Sequence, residues 1–312
     1  MAKTNKKYFW YGFLAMLLGS LNIPLMKYAT ESTNPATINA LRYSFGALVT
    51  FPYFFKNIHK LNKNNLRYSV LSGIAIFVSS ACLVIALDHS TANYVALLTI
   101  LSPIMLVLFS LKMTKDKVDI RKIAGFSIAL LGALIIIAGP LIKTENASLE
   151  FYPLATFFIL LIVIAYPLSV IFARKANEER KKLPLTAIIF IQTIVVAILS
   201  FIWGISTSQL TLSIGITSSP SIIIPIVYSG IFVTAISRVL NVASYEKTGS
   251  AVNGILYYCG VFITLLISII FLKEPLSIIA TLGGVLILVG VVIAEYGLSI
   301  KHKIYSKIHI YH

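Results

Sequence analysis

The chain has 312 residues, of which 58% are hydrophobic and only 12% are charged. Its mean hydropathy is +0.89, and a water-soluble domain cannot hide that much apolar side chain. The apolar runs are continuous rather than alternating, which argues against a β-barrel. The net charge of +15 is spread over several short connections, a distribution that does not indicate nucleic-acid binding. These features predict an integral membrane protein.

Ten apolar stretches follow one another along the chain, and a helix needs roughly 20 apolar residues to cross a bilayer. The predicted fold class is therefore all-α, with ten transmembrane helices. The connections are mostly short, so we expect no sizeable soluble domain. The predicted spans are 8–28, 35–55, 68–88, 91–111, 120–141, 151–173, 185–205, 222–244, 249–272 and 276–296.

The basic residues predict the orientation of these spans. The two terminal segments and every second connection together hold 21 of the 26 Lys and Arg residues. The other connections hold only Lys143 and Lys273, and three more basic residues fall within spans. By the positive-inside rule, both termini of this multi-pass protein are cytoplasmic. We expect it in the cell membrane.

An internal repeat relates the two halves of the chain. Residues 115–137 align without gaps with residues 273–295, at an offset of 158 positions. Each half carries five spans, and because five is odd the second half enters the membrane with opposite orientation. Inverted repeats of this kind are typical of secondary transporters. We predict a first repeat at 1–143, a second at 144–297 and a basic cytoplasmic tail at 298–312.

Several short motifs resemble those of the EamA-type members of the drug/metabolite transporter (DMT) superfamily. The motifs are Gly19-Ser20 with Lys27, the stretch Pro35 to Arg42, Pro103 with Asp116, Gly125 and Gly132, and Phe271 to Glu274 with Gly283 and Gly290. The resemblance covers nearly the whole chain. Leu18, Asp116 and Val261 depart from the usual Trp, Glu and Pro. The resemblance implies ten helices, a central cavity lined by both halves, and transport of small amino-acid-like or drug-like metabolites, with export favoured over import.

Two arginines within spans are candidate substrate ligands, because an ionisable side chain inside a membrane needs protein, water or a ligand around it. Arg42 lies in span 2, with Asn39 one turn earlier, and its guanidinium suits a carboxylate. Arg238 lies in span 8, where Asn241 shares its face. The alternative for both arginines is a structural one, either bonding to backbone carbonyls or snorkelling to the lipid headgroups.

Other polar residues within spans are weaker candidates for substrate binding. Span 9 has the most polar face, with side chains that suit an amphipathic ligand but equally suit hydrogen bonds between helices. The candidates are Asn22, Asn93, Tyr166, Gln192, Asn253, Tyr257 and Tyr258. Prolines at 24, 103 and 167 are predicted hinges or plain packing kinks. A proline in a span frees a backbone carbonyl that nearby polar groups must satisfy.

The missing residue types also narrow the function. No Asp or Glu lies near the centre of a span, which weakens the case for proton coupling. We expect Glu274 to help begin the last helix, since an acid is favoured there. The five histidines have no metal-ligand spacing, and no P-loop is present. The prediction is therefore a transporter and not an enzyme, without metal or cofactor.

The expected partners are a small-molecule substrate and the lipid bilayer, without nucleic acid, and a homodimer is left open. Two other functions stay open at this point. One is a membrane sensor or partner-binding protein that does not transport, and the other, less favoured, is a lipid-modifying membrane enzyme.

Overall fold

The computed structural model describes residues 3–114, 152–178, 183–210 and 219–274, with short stretches at 124–125, 127–128, 130–132, 134–135, 278–279, 281–290 and 293. Within these residues the backbone forms helices and turns, and no strand. Most of predicted span 5, part of span 10, the boundary at 143/144 and the tail lie outside them. The helices are α1 Lys3–Ser20, α2 Asn22–Thr30, α3 Pro35–Asn57, α4 Lys63–Asp88, α5 Ala92–Thr99, α6 Ser102–Thr114, α7 Pro153–Glu178, α8 Leu185–Ser206, α9 Pro220–Tyr228, a π-helical segment Ser229–Ser237, α10 Arg238–Phe271 and α11 Thr281–Gly290.

Apolar helices long enough to cross a membrane make up much of this fold. Five such segments are Lys7–Thr30, Lys63–Asp88, Pro153–Asn177, Leu185–Ser206 and Pro220–Tyr245. Helix α3 has 23 residues, a length of about 34 Å, and it buries the charged side chain of Arg42. Large apolar side chains also face outward, as at Phe271 and Ile278, which are 76% and 79% exposed. This is the pattern of a bundle surrounded by lipid.

The chain reverses direction within the 34 residues of α10, which therefore consists of two helical arms. A β-carbon at Gly12 would lie 2.5 Å from Ser244 Oγ and 2.6 Å from Leu256 Cδ1. In a straight helix those two residues would be about 18 Å apart, so they could not both meet one residue of α1. The chain therefore turns back between Ser244 and Leu256, and both arms pack along α1. This turn separates predicted spans 8 and 9.

The basic residues gather at one end of the bundle. The end of α7 and the start of α8 pack there against Phe54, Leu61 and Tyr68, which lie at the end of α3 and the start of α4. Lys175 Nζ lies 5.7 Å from the centre of the Tyr68 ring. Lys27 lies at the opposite end, where its Nζ donates to the Leu87 carbonyl oxygen over 2.9 Å. The basic ends of α3, α4 and α7 therefore lie together on one side of the bundle.

Two predicted spans are broken close to a proline. Span 1 is interrupted at Leu21, between α1 and α2, three residues before Pro24. Span 4 is interrupted at residues 100–101, between α5 and α6, just before Pro103. Pro167, in contrast, lies inside the continuous helix α7. The predicted interruption of span 1 is confirmed, while the hinge role of all three prolines stays a prediction.

The glycines of the internal repeat bring two helices into close contact. A β-carbon at Gly132 would lie 2.6 Å from the carbonyl oxygen of Gly283 and 2.8 Å from the backbone nitrogen of Ile287. No side chain fits in that space, so only glycine allows the two backbones to meet. The repeated segments of the two halves therefore pack against each other.

Candidate functional site

A cavity of about 220 Å³ lies between helices of both halves of the chain. Helices α1 to α6 contribute one part of its wall, and α7, α8, the π-helical segment and α10 contribute the rest. Ligand sites in helical membrane proteins typically occupy such a position between helices. Its polar lining consists of Ser20, Asn22, Arg42, Tyr43, Ser79, Ser80, Thr99, Ser102, Tyr166, Gln192, Thr193, Thr234, Ser237, Arg238, Asn241, Tyr257 and Thr264.

Arg42 borders this cavity from α3 and is almost completely buried, with 5% of its surface exposed. Its Nε donates to Thr234 Oγ1 over 3.2 Å, and its guanidinium carbon lies 5.0 Å from the centre of the Tyr43 ring. The Nη1 group is buried without a hydrogen-bond partner. A buried charged group with unmet donors costs free energy, so this site favours an incoming acceptor.

Arg238 borders the same cavity from α10. Its Nη2 donates to Ser169 Oγ over 3.1 Å, and its guanidinium carbon lies 5.2 Å from the centre of the Tyr166 ring. Both Nε and Nη1 are buried without a hydrogen-bond partner. The guanidinium is thus held between α7 and α10, in contact with protein, and does not extend to the headgroups.

Five further sequence candidates line the cavity, namely Asn22, Tyr166, Gln192, Asn241 and Tyr257. The Ser229 hydroxyl donates to Asn22 Oδ1 over 2.6 Å. Gln192 Nε2 donates to Ser72 Oγ over 2.8 Å. Both contacts cross between helices, so these side chains have a structural role in addition to any contact with a ligand.

Asn39 and Asn93 are fully or almost fully buried but do not line the cavity. Asn39 Nδ2 lies 3.1 Å from Ser80 Oγ and 2.9 Å from Ser200 Oγ, and donates to both hydroxyls. Asn39 therefore ties α3 to α4 and α8, and Arg42 enters the cavity without it. The side chains of Asn253 and Tyr258 lie outside the described part of the molecule.

Asn93 belongs to a contact that involves Glu274. The Glu274 carboxylate accepts hydrogen bonds from the backbone N–H groups of Ala92 and Asn93, over 2.8 and 2.9 Å. Asn93 Nδ2 donates to the Glu274 carbonyl oxygen over 3.1 Å. The acid therefore caps the N-terminus of α5, where the helix dipole favours it. The sequence analysis predicted that Glu274 helps to begin the helix that follows it, and the start of that helix lies outside the described residues. The contact with α5 was not predicted, because it joins residues far apart along the chain.

Small hydroxyl residues of the lining were missed by the sequence analysis. Thr264 and Ser237 are buried, and each donates to a carbonyl of α1, at Ser20 and Ala15, over 2.8 Å in both cases. Thr234 holds Arg42. Serine and threonine are common in apolar spans, so their type alone carries little signal. Their spacing from the prolines and arginines was the only available clue.

The charges around the cavity have one sign. Arg42 and Arg238 are the ionised side chains of its described lining, which contains no Asp or Glu. No group of His, Cys, Asp and Glu with the arrangement of a metal site occurs in the described part of the chain. The rest of the wall is largely apolar surface, including Ile76, Leu83 and Val261, together with neutral hydroxyl and amide groups. The cavity thus combines an apolar body with two cationic groups.

Comparisons with known proteins agree with this architecture. The model of the EamA-like transporter family matches residues 6–138 and again residues 153–296. An uncharacterized transporter of Archaeoglobus fulgidus is 25% identical over 288 residues, covering 90% of this chain and 83% of that protein. A WAT1-related protein of Arabidopsis thaliana is 24% identical, covering 88% of this chain and 86% of its own.

A solved crystal structure shares the fold, with a TM-score of 0.63 at 18% identity, covering 93% of this chain and 96% of the other. At that identity the likeness concerns the fold alone. The family match takes in most of the chain, in two copies, and the described helices are those of a multi-pass membrane protein. This chain is a member of the EamA-like transporter family.

Proposed function

We propose that the protein is a secondary transporter of small organic metabolites, such as amino acids or drug-like amphiphiles, and that it acts as an exporter. The observation that carries this proposal is the cavity between the two halves, with Arg42 from one half and Arg238 from the other at its wall. The family match to transporters supports it. No catalytic group is needed to explain such a site, because moving a solute requires only binding and release.

The proposed mechanism is alternating access between two inverted five-helix repeats, with ten transmembrane helices and both termini in the cytoplasm of the cell. In such transporters the substrate site lies near the middle of the bilayer, next to broken helices. The breaks at Leu21 and at residues 100–101 lie beside residues of the cavity wall, which supports this mechanism. The gathering of basic helix ends on one side supports the orientation.

The direct test is flux into proteoliposomes that contain the purified full-length protein, screened with amino acids and related amphiphiles. We expect saturable flux for at least one compound, and its loss in an Arg42→Ala, Tyr257→Ala double variant. A Lys27→Gln variant is the matched control, because Lys27 is also a cation within a span but lies away from the cavity. Flux at the wild-type level in the double variant would contradict the proposed site.

The same assay, combined with melting temperatures, distinguishes a transporter from the other possible functions. A compound that raises the melting temperature of the protein but never crosses the membrane would favour a sensor over a transporter. Export predicts net flux from the side of the basic helix ends, against the substrate gradient, when an ion gradient is imposed across the membrane. Flux that only ever follows the substrate gradient would contradict a directional exporter and leave facilitated diffusion.

A further inference from the structure

The two arginines at the cavity are close enough to meet one small ligand. Arg42 Nε lies 3.2 Å from Thr234 Oγ1, and Thr234 precedes Arg238 by four residues. Four residues correspond to about one helical turn, a rise of roughly 6 Å. Arg42 therefore lies beside the same stretch of span 8 that carries Arg238, and both side chains border one cavity.

Neither guanidinium has an anionic partner within the described part of the molecule. Each makes a hydrogen bond to a neutral hydroxyl, Thr234 for Arg42 and Ser169 for Arg238, and each lies beside a tyrosine ring. Each also keeps buried N–H groups without an acceptor. A buried cation is costly unless it is paired, and two cations in one low-dielectric cavity repel each other. Within the described lining, two positive charges therefore face one cavity without a negative charge to balance them.

The wall around the two arginines limits which ligands can bind in the cavity. Ile76, Leu83, Ile162 and Val261 provide apolar surface within the same cavity. One face of the Tyr43 ring and one face of the Tyr166 ring are covered by the two guanidinium groups. A ligand that fits therefore presents two negative charges to the arginines and a largely apolar body to a wall that also carries neutral hydroxyl and amide groups.

We propose that this cavity binds a small organic dianion, either a dicarboxylate or a phosphate monoester, with Arg42 and Arg238 as its ligands. This inference rests on the proposed function, whose site it shares, and it narrows the substrate class. The shared chemistry is two negative charges on an apolar body. A carboxylate or phosphate oxygen accepts the buried N–H groups in charge-assisted hydrogen bonds, which are stronger than bonds to neutral acceptors.

The first experiment compares compounds that share a carbon skeleton and differ in charge. Adipate, hexanoate and 1,6-hexanediol carry two, one and no negative charges at neutral pH. Their effect on the melting temperature of the purified full-length protein is measured, together with flux of labelled adipate and hexanoate into proteoliposomes. We expect adipate to bind most tightly and hexanediol least. Phenyl phosphate and benzenesulfonate, a dianion and a monoanion, form a second pair that distinguishes a phosphate site from a dicarboxylate site.

The second experiment removes one charge at a time. In Arg42→Gln and in Arg238→Gln we expect the affinity for adipate to fall roughly 10- to 100-fold, the value of one lost charge-assisted bond. The affinity for hexanoate should fall less, so the preference between the two compounds narrows or reverses. Arg42→Lys keeps the charge and should keep adipate ahead of hexanoate, which guards against a merely misfolded Gln variant. Lys27→Gln removes a cation outside the cavity and should leave the preference unchanged.

Two results would overturn the inference. One is a wild-type protein that binds hexanediol or hexanoate as tightly as adipate while phenyl phosphate binds no better than benzenesulfonate. The other is an unchanged adipate-to-hexanoate preference in both Gln variants. The proposed function fails separately, since adipate binding without flux would contradict transport but support the dianion site. Flux of an uncharged compound without adipate binding would support transport but contradict the dianion site.

Discussion

The hydroxyl of Thr264 donates a 2.8 Å hydrogen bond to the carbonyl oxygen of Ser20. That oxygen lies four residues before Pro24, which has no N–H to offer it. The carbonyl at the second break is satisfied in the same way. Tyr257 Oη donates over 3.3 Å to the carbonyl oxygen of Thr99, four residues before Pro103. Both donors lie on α10, seven residues apart and on one face. One helix of the second half thus satisfies the carbonyls freed by Pro24 and Pro103 in the first.

This arrangement predicts coupling between Thr264 and Pro24. Thr264→Val removes the donor and should cost about 1 kcal/mol of stability, a typical value for a hydrogen bond between membrane helices. In a Pro24→Ala background the new N–H can bond Ser20 itself, so the same change should cost less. Unfolding of the four proteins of this double-mutant cycle, measured in detergent, gives the coupling energy.

The hydroxyl of Thr264 also lies 3.0 Å from the Gly260 carbonyl of its own helix. Losing this second contact adds to the cost of Thr264→Val in every background. A Pro103→Ala background is the control, because it changes the break at residues 100–101 and should leave the cost of Thr264→Val unaltered. Equal costs of Thr264→Val in all three backgrounds would show that Pro24 and Thr264 act independently.

Glu274 should contribute to stability through α5 rather than through charge alone. Glu274→Gln weakens two hydrogen bonds at the helix N-terminus and removes a favourable charge, so we expect a loss of about 1–2 kcal/mol. Asp88→Asn is the matched control. Asp88 is exposed, and its contact with His89 at 3.9 Å is an ion pair only when the imidazole is protonated, so its loss should cost less than about 0.5 kcal/mol. Thermal unfolding of both variants compares them, and equal losses would contradict the capping role.

Gly230 should tolerate no side chain. A β-carbon there would lie 2.5 Å from the Arg42 carbonyl oxygen and 2.7 Å from Phe45 Cβ. Gly230→Ala must push the π-helical segment away from α3, at a cost of about 1–3 kcal/mol. Gly19→Ala is the control, since its nearest neighbour would be Ser237 Oγ at 3.7 Å, an ordinary contact. A Gly230→Ala protein with the melting temperature of the Gly19→Ala protein would contradict this close packing.

Substitutions at Asn39 and Arg42 should affect different properties, the first mainly stability and the second mainly transport. Asn39→Ala loses two interhelical hydrogen bonds, and we expect it to destabilise the protein by about 1–2 kcal/mol. Because Asn39 lies outside the cavity lining, flux per folded molecule should stay close to that of the wild type. Arg42→Lys should show the opposite pattern, with a larger effect on flux than on melting temperature. If Asn39→Ala had reduced flux but the stability of the wild type, Asn39 would instead be part of the substrate site.

Part of the polar lining of the cavity could be predicted from residue type alone. A charged or amide side chain in an apolar span needs a partner, and five residues chosen on that ground line the cavity, namely Asn22, Arg42, Gln192, Arg238 and Asn241. The candidates Tyr166 and Tyr257, aromatic residues with a hydroxyl, line it as well. The same ground also selected Asn39 and Asn93, whose partners proved to be Ser80, Ser200 and Glu274. Residue type shows that a polar group needs a partner but not whether that partner is protein or ligand.

The sequence by itself determined the helical class, the segregation of basic residues to alternate connections and the relation between the two halves. These follow from hydropathy, charge and local spacing, which are properties of short stretches of chain. Only the tertiary structure decided that Glu274 caps α5, that Thr264 and Tyr257 satisfy carbonyls of the other half, and that two arginines 196 positions apart share one cavity. Such contacts depend on how helices distant in sequence pack together, and this packing leaves no period or motif in the chain.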